Sequence, residues 1–103
     1  MIQVHVDLAV EPAKEQEMLR HFQTVFRPAA MKFRGYVDVR LLKLLAVPMG
    51  TAPADLHYRF TITYETEELR QTWVASEIHQ DVWGTMERML SAPDYTVILF
   101  EVI

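Results

Sequence analysis

The chain has 103 residues, a formal net charge of −4 and no cysteine. The acidic balance argues against a nucleic-acid partner, because a phosphate backbone is bound by a basic surface. Without cysteine the chain has no disulfides, thiolate nucleophiles or cysteine-ligated metal clusters. No apolar run approaches the ~20 residues that span a bilayer, and the N-terminal segment lacks the order of a signal peptide. We therefore expect a single cytoplasmic domain over residues 1–103, with no membrane partner.

The first segment alternates between apolar and other side chains, which is typical of a strand with one buried face. The apolar set has even numbers, and the odd-numbered set includes His5 and Asp7. After Pro12 the apolar positions recur with helical spacing, and Pro28 either ends or bends that helix. The predicted buried stripe consists of Met18, Leu19, Phe22, Val25 and Phe26.

A second strand is predicted over residues 36–47, but its alternation changes phase near Leu41 and Leu42. Such a slip indicates either a β-bulge or a strand end that is buried on both faces. Residues 48–55 are rich in proline and small residues, which is typical of a loop. Regular alternation over residues 56–64 then predicts the third strand.

A second helix follows, with Thr66 as its predicted N-cap residue. Its apolar positions continue to Leu90, with a break expected near either Ser76 or Gly84. Residues 95–103 form the closing strand, which is apolar on both faces. The order β-α-β-β-α-β predicts an α+β, ferredoxin-like fold, in which helices cover one face of a four-stranded antiparallel sheet.

The other face of that sheet carries either the odd-numbered or the even-numbered residues of the strands. Apolar residues on both sides of the last strand favour association if they are left in water. We therefore predict a sheet-on-sheet homodimer in which a second copy covers the open face. His5, Asp7, His57 and Arg59 lie on the polar faces of two predicted neighbouring strands, which allows either a His–Asp or an Asp–Arg cross-strand pair. The same residues would otherwise form a polar patch that faces a ligand.

Two short segments point to a known family. The second helix contains the segment 73–79 (WVASEIH) followed by Trp83, and the second strand begins at residues 35–37 (GYV). Both segments resemble the antibiotic-biosynthesis-monooxygenase family of dimeric α+β barrels, and the resemblance covers essentially the whole chain. It implies a homodimer with a pocket between each sheet and its helices. The family's activities include cofactor-free oxidation of aromatic polyketides, haem degradation, isomerisation and quinol oxidation.

The chain departs from the family at particular positions. Its cofactor-free oxygenases use a tryptophan in this helix, a tyrosine six residues later and an asparagine one turn earlier. Trp73 matches the tryptophan, whereas His79 and Leu69 stand at the other two positions. Haem-degrading relatives place a ligating histidine ten residues after the tryptophan, where this chain has Trp83. The resemblance therefore disfavours haem degradation, and the histidines lack the HxH or HExxH spacing of a metal site.

The second helix also carries the candidate site. At about 100° per residue, one side of a continuous helix would hold four residues of interest: Trp73, Ser76, His79 and Trp83. One interpretation is a pocket wall in which two indoles and a serine hydroxyl bind an aromatic substrate, with His5 contributing if its face of the sheet lines the pocket. The alternative is that the tryptophans are core and the polar residues mark its edge.

His79 is the predicted catalytic residue. Imidazole titrates near neutral pH and can take a phenolic proton before the substrate reacts with dioxygen. The first functional hypothesis is thus a monooxygenase or other oxidoreductase that acts on a small aromatic or quinone-like molecule, with no bound cofactor or metal. The second is a non-catalytic homodimer of the same fold that binds a small ligand or acts in a stress response.

Overall fold

The computed structural model describes residues 1–92 and 94–103. Its strands are β1 (Ile2–Leu8), β2 (Tyr36–Lys43), β3 (Tyr58–Tyr64) and β4 (Val97–Glu101). They form one antiparallel sheet in the order β2-β3-β1-β4. Its longer helical segments are α1 (Glu15–His21), α2 (Arg27–Met31), α3 (Glu67–Ala75) and α4 (Glu77–Glu87). These helices pack on one face of the sheet, so the predicted ferredoxin-like fold is confirmed.

A π-helical turn, Phe22–Phe26, separates α1 from α2. The phenylalanines at its two ends remain buried, but the wider turn shifts the phase of the residues between them. The prediction that Val25 belongs to the buried stripe is therefore wrong, since its side chain is 44% exposed. Pro28 lies in the first turn of α2, where its missing N–H is tolerated, so the helix continues beyond it.

The β-bulge of β2 lies at the beginning of the strand. The register shifts between Tyr36 and Asp38, which makes Val37 the extra residue. After the bulge the alternation is regular, and Leu42 faces the open side of the sheet with 47% of its surface exposed. Both sequence-based interpretations, a bulge near Leu41 and Leu42 or an end buried on both faces, are wrong, because β2 is an edge strand with an exposed end.

The strand register decides which residues occupy the open face. Val4 pairs with Ile62, and both side chains are buried beneath the helices. His5 pairs with Thr61 on the opposite side, so the odd-numbered residues of β1 form the open face. On the same face, Arg59 donates from Nε to Asp7 Oδ1 at 2.7 Å. Of the two cross-strand pairs that the sequence allows, the structure thus contains the Asp–Arg pair, which links β1 to β3.

β4 is an edge strand with apolar side chains on both faces. Ile98 and Phe100 lie on the open face, while Val97 and Leu99 lie on the side of the helices. All four side chains are exposed. This strand therefore leaves apolar surface uncovered on both sides of the sheet, as its sequence predicts.

Side chains from both layers form the core. The largest fully buried ones are Leu8, Met18, Phe26, Val39, Trp73 and Met86. Among the described residues, none of the helices combines the length and the apolar character needed to span a bilayer.

Candidate functional site

A cavity of about 360 Å³ lies between the sheet and the helices. Its sheet side is apolar and consists mainly of residues from β1 and β3, such as Val6 and Ile62. On the helix side it is lined by Trp73, His79 and Trp83. The volume and the mainly apolar lining with a few polar groups are typical of small-molecule sites.

Ser76 divides the second helical segment into α3 and α4. Its backbone is extended (φ −72°, ψ 151°), and its hydroxyl accepts a hydrogen bond from the His79 backbone N–H at 3.2 Å. The same hydroxyl donates to the carbonyl of Trp73 at 2.6 Å. Ser76 thus caps α4 and helps to end α3, as serine does when its side chain competes with the helical backbone. The break falls at Ser76, and Gly84 lies within α4.

The break at Ser76, one of the two expected positions, rules out one continuous helix, yet the structure still brings three of the four grouped residues together. The imidazole of His79 stacks on Trp83, with ring centroids 6.4 Å apart and an interplanar angle of 16°. Its edge contacts Trp73 at a centroid distance of 5.2 Å. The turn at Ser76 replaces the continuous helix and places His79 between the two indoles.

Two predicted site residues lie outside the cavity. The Ser76 hydroxyl is occupied by its two backbone hydrogen bonds, and the residue does not belong to the cavity lining. His5 lies on the open face of the sheet, on the opposite side from the cavity. Its Nε2 is 2.6 Å from Gln3 Oε1. Its ring and that of Phe100 form a T-shaped pair with centroids 4.8 Å apart. Successive side chains of β1 point to opposite faces of the sheet, so His5 points away from the cavity that its neighbours Val4 and Val6 line.

Burial lowers the pKa of the His79 imidazole below its usual value of 6.5. The Val74 carbonyl and the Glu87 carboxylate oppose this lowering, and Arg70 adds to it. Nδ1 of His79 is buried and has no hydrogen-bond partner among the described residues. The side chain is therefore neutral near pH 7, and its buried Nδ1 is a polar atom without a partner.

The Nε1–H group of Trp73 is a second buried polar group without a hydrogen-bond partner among the described residues. It makes no hydrogen bond of good geometry within residues 1–92 and 94–103, although it lies close enough to the Tyr64 hydroxyl to oppose the raised pKa of that group. Trp73 itself is 1% exposed and lines the cavity. A buried donor without an acceptor costs free energy, and a ligand oxygen at this position would satisfy it.

The sequence reasoning did not identify a hydrogen-bonded chain beside the cavity. Nε1 of Trp83 donates to the Tyr95 hydroxyl at 3.0 Å, and that hydroxyl donates to Glu87 Oε2 at 2.5 Å. Burial and the Glu87 carboxylate raise the pKa of Tyr95. Glu87 follows Trp83 by four residues, so helical spacing could have indicated that they are neighbours. The prediction that the closing strand begins at Tyr95 is wrong, because β4 begins at Val97 and Tyr95 lies in irregular structure before it. Its alternation with Val97 and Leu99 nevertheless indicates the side of the sheet that the helices cover.

Buried Tyr64 is a further polar residue of the lining. Burial is the main cause that raises its pKa, so its hydroxyl stays protonated at neutral pH. Its alternation with Phe60 and Ile62 placed it on the helix-facing side of β3, which was a usable signal. Within the described part of the chain, no group of three or more histidine or acidic side chains could hold a metal ion.

In comparisons by sequence, no family model and no curated protein matches the chain. Comparisons by structure find several similar folds. A dimeric ferredoxin-like protein from Jannaschia sp. CCS1 superposes with a TM-score of 0.80 at 16% identity, covering 98% of each chain. A candidate antibiotic biosynthesis monooxygenase from Bordetella bronchiseptica gives 0.77 at 19% identity, covering 99% of this chain and 96% of the other.

SnoaB, a cofactor-independent oxygenase from Streptomyces nogalater, gives a TM-score of 0.74 at 13% identity. This match covers 98% of the present chain and 91% of SnoaB. The fold expected from the family resemblance is thus confirmed. At these identities the likeness shows the fold alone, so activity has to be argued from the site.

Proposed function

We propose that the protein is an oxidoreductase that oxidises a small, electron-rich aromatic or quinone-like molecule with dioxygen and needs no bound cofactor. The observation that carries the proposal is the position of His79, a half-buried imidazole between two indoles in a mainly apolar cavity. Trp73 and Trp83 offer flat surfaces to an aromatic ring, since aromatic pairs attract in stacked and edge-on arrangements. SnoaB, a cofactor-independent oxygenase of the same fold, supports this choice of reaction class.

The chemistry follows from the protonation state of His79. A neutral imidazole at pH 7 accepts the proton of a phenolic hydroxyl, and the resulting phenolate is a better electron donor than the phenol. Complete oxidation of a dihydroxyaromatic then releases two electrons and two protons, which convert dioxygen to hydrogen peroxide. In the monooxygenase variant, one oxygen atom enters the substrate ring and the other leaves as water. The substrate supplies all the electrons in both cases.

The homodimer is part of the same proposal. Ile98 and Phe100 on the open face, together with Val102 beyond β4, are exposed apolar side chains that a second sheet would cover. The dimeric state of the Jannaschia protein supports this arrangement. We expect sedimentation velocity at micromolar concentration to give the mass of a dimer. A single species with the mass of a monomer would contradict it.

Oxygen consumption tests the proposed reaction. We expect the purified protein to accelerate oxygen uptake by a panel of dihydroxynaphthalenes and quinols, with the quinone or hydroxylated product formed in proportion. Heat-denatured protein serves as the control for autoxidation of the substrates. An uptake rate equal to that control across the whole panel would contradict the proposal. It would favour the second hypothesis, a module that binds a small ligand in the same cavity without turnover.

A further inference from the structure

We propose that Glu87 makes the cavity selective for uncharged hydroxylated aromatics over analogues that carry a carboxylate. The inference rests on the proposed function, because it names the substrate class of the same cavity. It follows from an account of the charges around the cavity and of the polar groups that remain free to meet a ligand.

Arg70 is a cation of the lining, but its charge is already paired. Its Nε donates to Glu67 Oε2 at 2.7 Å and its Nη2 donates to Glu67 Oε1 at 2.5 Å. These hydrogen bonds lower the pKa of Glu67 to about 2, so the pair remains ionised throughout the neutral range. A guanidinium held in this two-point arrangement has little left to offer to a ligand carboxylate.

Glu87 is an exposed anion at the rim of the lining, and its charge is not paired. The group that donates to it is the neutral hydroxyl of Tyr95. None of the ion pairs within residues 1–92 and 94–103 includes Glu87. The Tyr95 hydroxyl also accepts a hydrogen bond from Trp83 Nε1, so two hydrogen bonds in series link the Glu87 carboxylate to an indole that lines the cavity.

His79 does not compensate for that negative charge at neutral pH, because burial keeps the imidazole neutral. A ligand carboxylate would therefore enter a mainly apolar cavity that already has an unpaired anion at its edge. Loss of hydration and repulsion between like charges both oppose this binding.

An uncharged hydroxyl group meets neither obstacle. Nε1–H of Trp73 needs an acceptor, and Nδ1 of His79 has no partner among the residues that the structure describes. A hydroxyl both donates and accepts, so it can serve either group without bringing a charge. The free polar atoms of the cavity thus complement a neutral dihydroxyaromatic.

The test is anaerobic calorimetric titration at low ionic strength, which measures binding without turnover. Three probes are compared: a dihydroxynaphthalene, the hydroxynaphthoate in which a carboxylate replaces one hydroxyl, and the corresponding hydroxynaphthamide. The naphthamide has nearly the shape of the naphthoate and no charge. We expect the wild type to bind the dihydroxynaphthalene and the naphthamide more tightly than the naphthoate.

Glu87→Gln removes the charge and keeps an oxygen that can accept from Tyr95. We expect it to reduce the naphthamide-to-naphthoate affinity ratio roughly fivefold to tenfold, and raised salt to reduce the wild-type ratio in the same direction. Glu77→Gln is the matched control, since it makes the same charge change in α4 at an exposed residue outside the cavity lining. That control is expected to keep the wild-type ratio.

The outcomes separate this inference from the proposed function. Binding of the neutral probes with a ratio that is equal in wild type and Glu87→Gln would overturn the role of Glu87 and leave the cavity as a ligand site. Tighter binding of the naphthoate by the wild type would overturn the inference as well. Failure of every probe to bind would overturn the proposal that this cavity holds a small aromatic.

Discussion

His79→Gln is expected to lower the rate of enzyme-dependent oxygen uptake by about a hundredfold or more. General acid–base groups contribute roughly 10²–10⁴-fold to the reactions they serve, and glutamine cannot accept a proton near neutral pH. The substitution keeps a polar side chain of similar length, so the stacking surfaces of Trp73 and Trp83 remain available to the substrate. The loss should therefore appear mainly in kcat, with a smaller effect on KM.

His57→Gln is the matched control for this substitution. His57 is exposed and lies outside the cavity lining, and its Nδ1 accepts a hydrogen bond from the Val10 N–H that a glutamine oxygen can replace. We expect this variant to consume oxygen at the wild-type rate. An undiminished rate in both His79→Gln and His79→Ala would remove the proposed proton transfer.

The pH dependence has a definite sign. The pKa of His79 lies below 6.5, so kcat/KM should be constant near pH 7 and fall as the pH drops through that lowered value. Stability changes in the same direction, because the unfolded chain binds the proton more readily than the folded one. The free energy of unfolding should thus decrease as the pH falls below about 6.5 and level off below the folded pKa. His79→Gln should lack this component, whereas equal pH profiles of wild type and variant would contradict the burial of the imidazole.

Gly35→Ala is expected to reduce the free energy of unfolding by about 2–4 kcal/mol, a large part of the 5–15 kcal/mol typical of a domain. Gly35 has a φ of +93°, in the region that residues with a Cβ rarely adopt. An alanine Cβ would also lie 2.7 Å from the Cβ and Cδ1 atoms of Leu69. The substitution would push α3 away from the turn that begins β2.

Gly50→Ala separates the effect of backbone strain from the effect of the clash with Leu69. Gly50 also has a positive φ, +82°, but its added Cβ would meet no described atom within 4 Å. We expect urea denaturation to show a loss of about 1 kcal/mol for this variant, from backbone strain alone. If Gly35→Ala were no less stable than Gly50→Ala, the close approach of Leu69 would not constrain the fold.

The fold was predictable because its signals are local and repeated. Strict alternation in β1 and β3 identified the strands, and Thr66 behaves as the predicted N-cap, accepting from Leu69 N at 3.2 Å. Errors arose where one residue changes the phase of a pattern, as at Val37 in the β-bulge and Val25 in the π-helical turn. Periodicity within a sequence does not locate such one-residue insertions, since packing between elements decides where an insertion costs the least free energy.

The candidate site was predictable only in part. Spacing grouped Trp73, His79 and Trp83, and the structure brings them together through a break at Ser76 instead of a continuous helix. Spacing alone also grouped Ser76 with these residues, but its hydroxyl bonds the neighbouring backbone instead of facing the cavity. Alternation places Tyr95 on the same side as Val97 and Leu99, but its hydrogen bond with Trp83 joins α4 to the segment before β4, and spacing within either segment does not specify that contact.

The proposed function requires a small aromatic molecule to bind between the sheet and the helices, against His79. A crystal structure of the protein with a dihydroxynaphthalene, grown without oxygen, tests this claim most directly. We predict a ring that lies against Trp73 or Trp83, with one hydroxyl within about 3 Å of a ring nitrogen of His79. A ring ordered on the open face beside His5 and Phe100, with the cavity left to water, would contradict the claim.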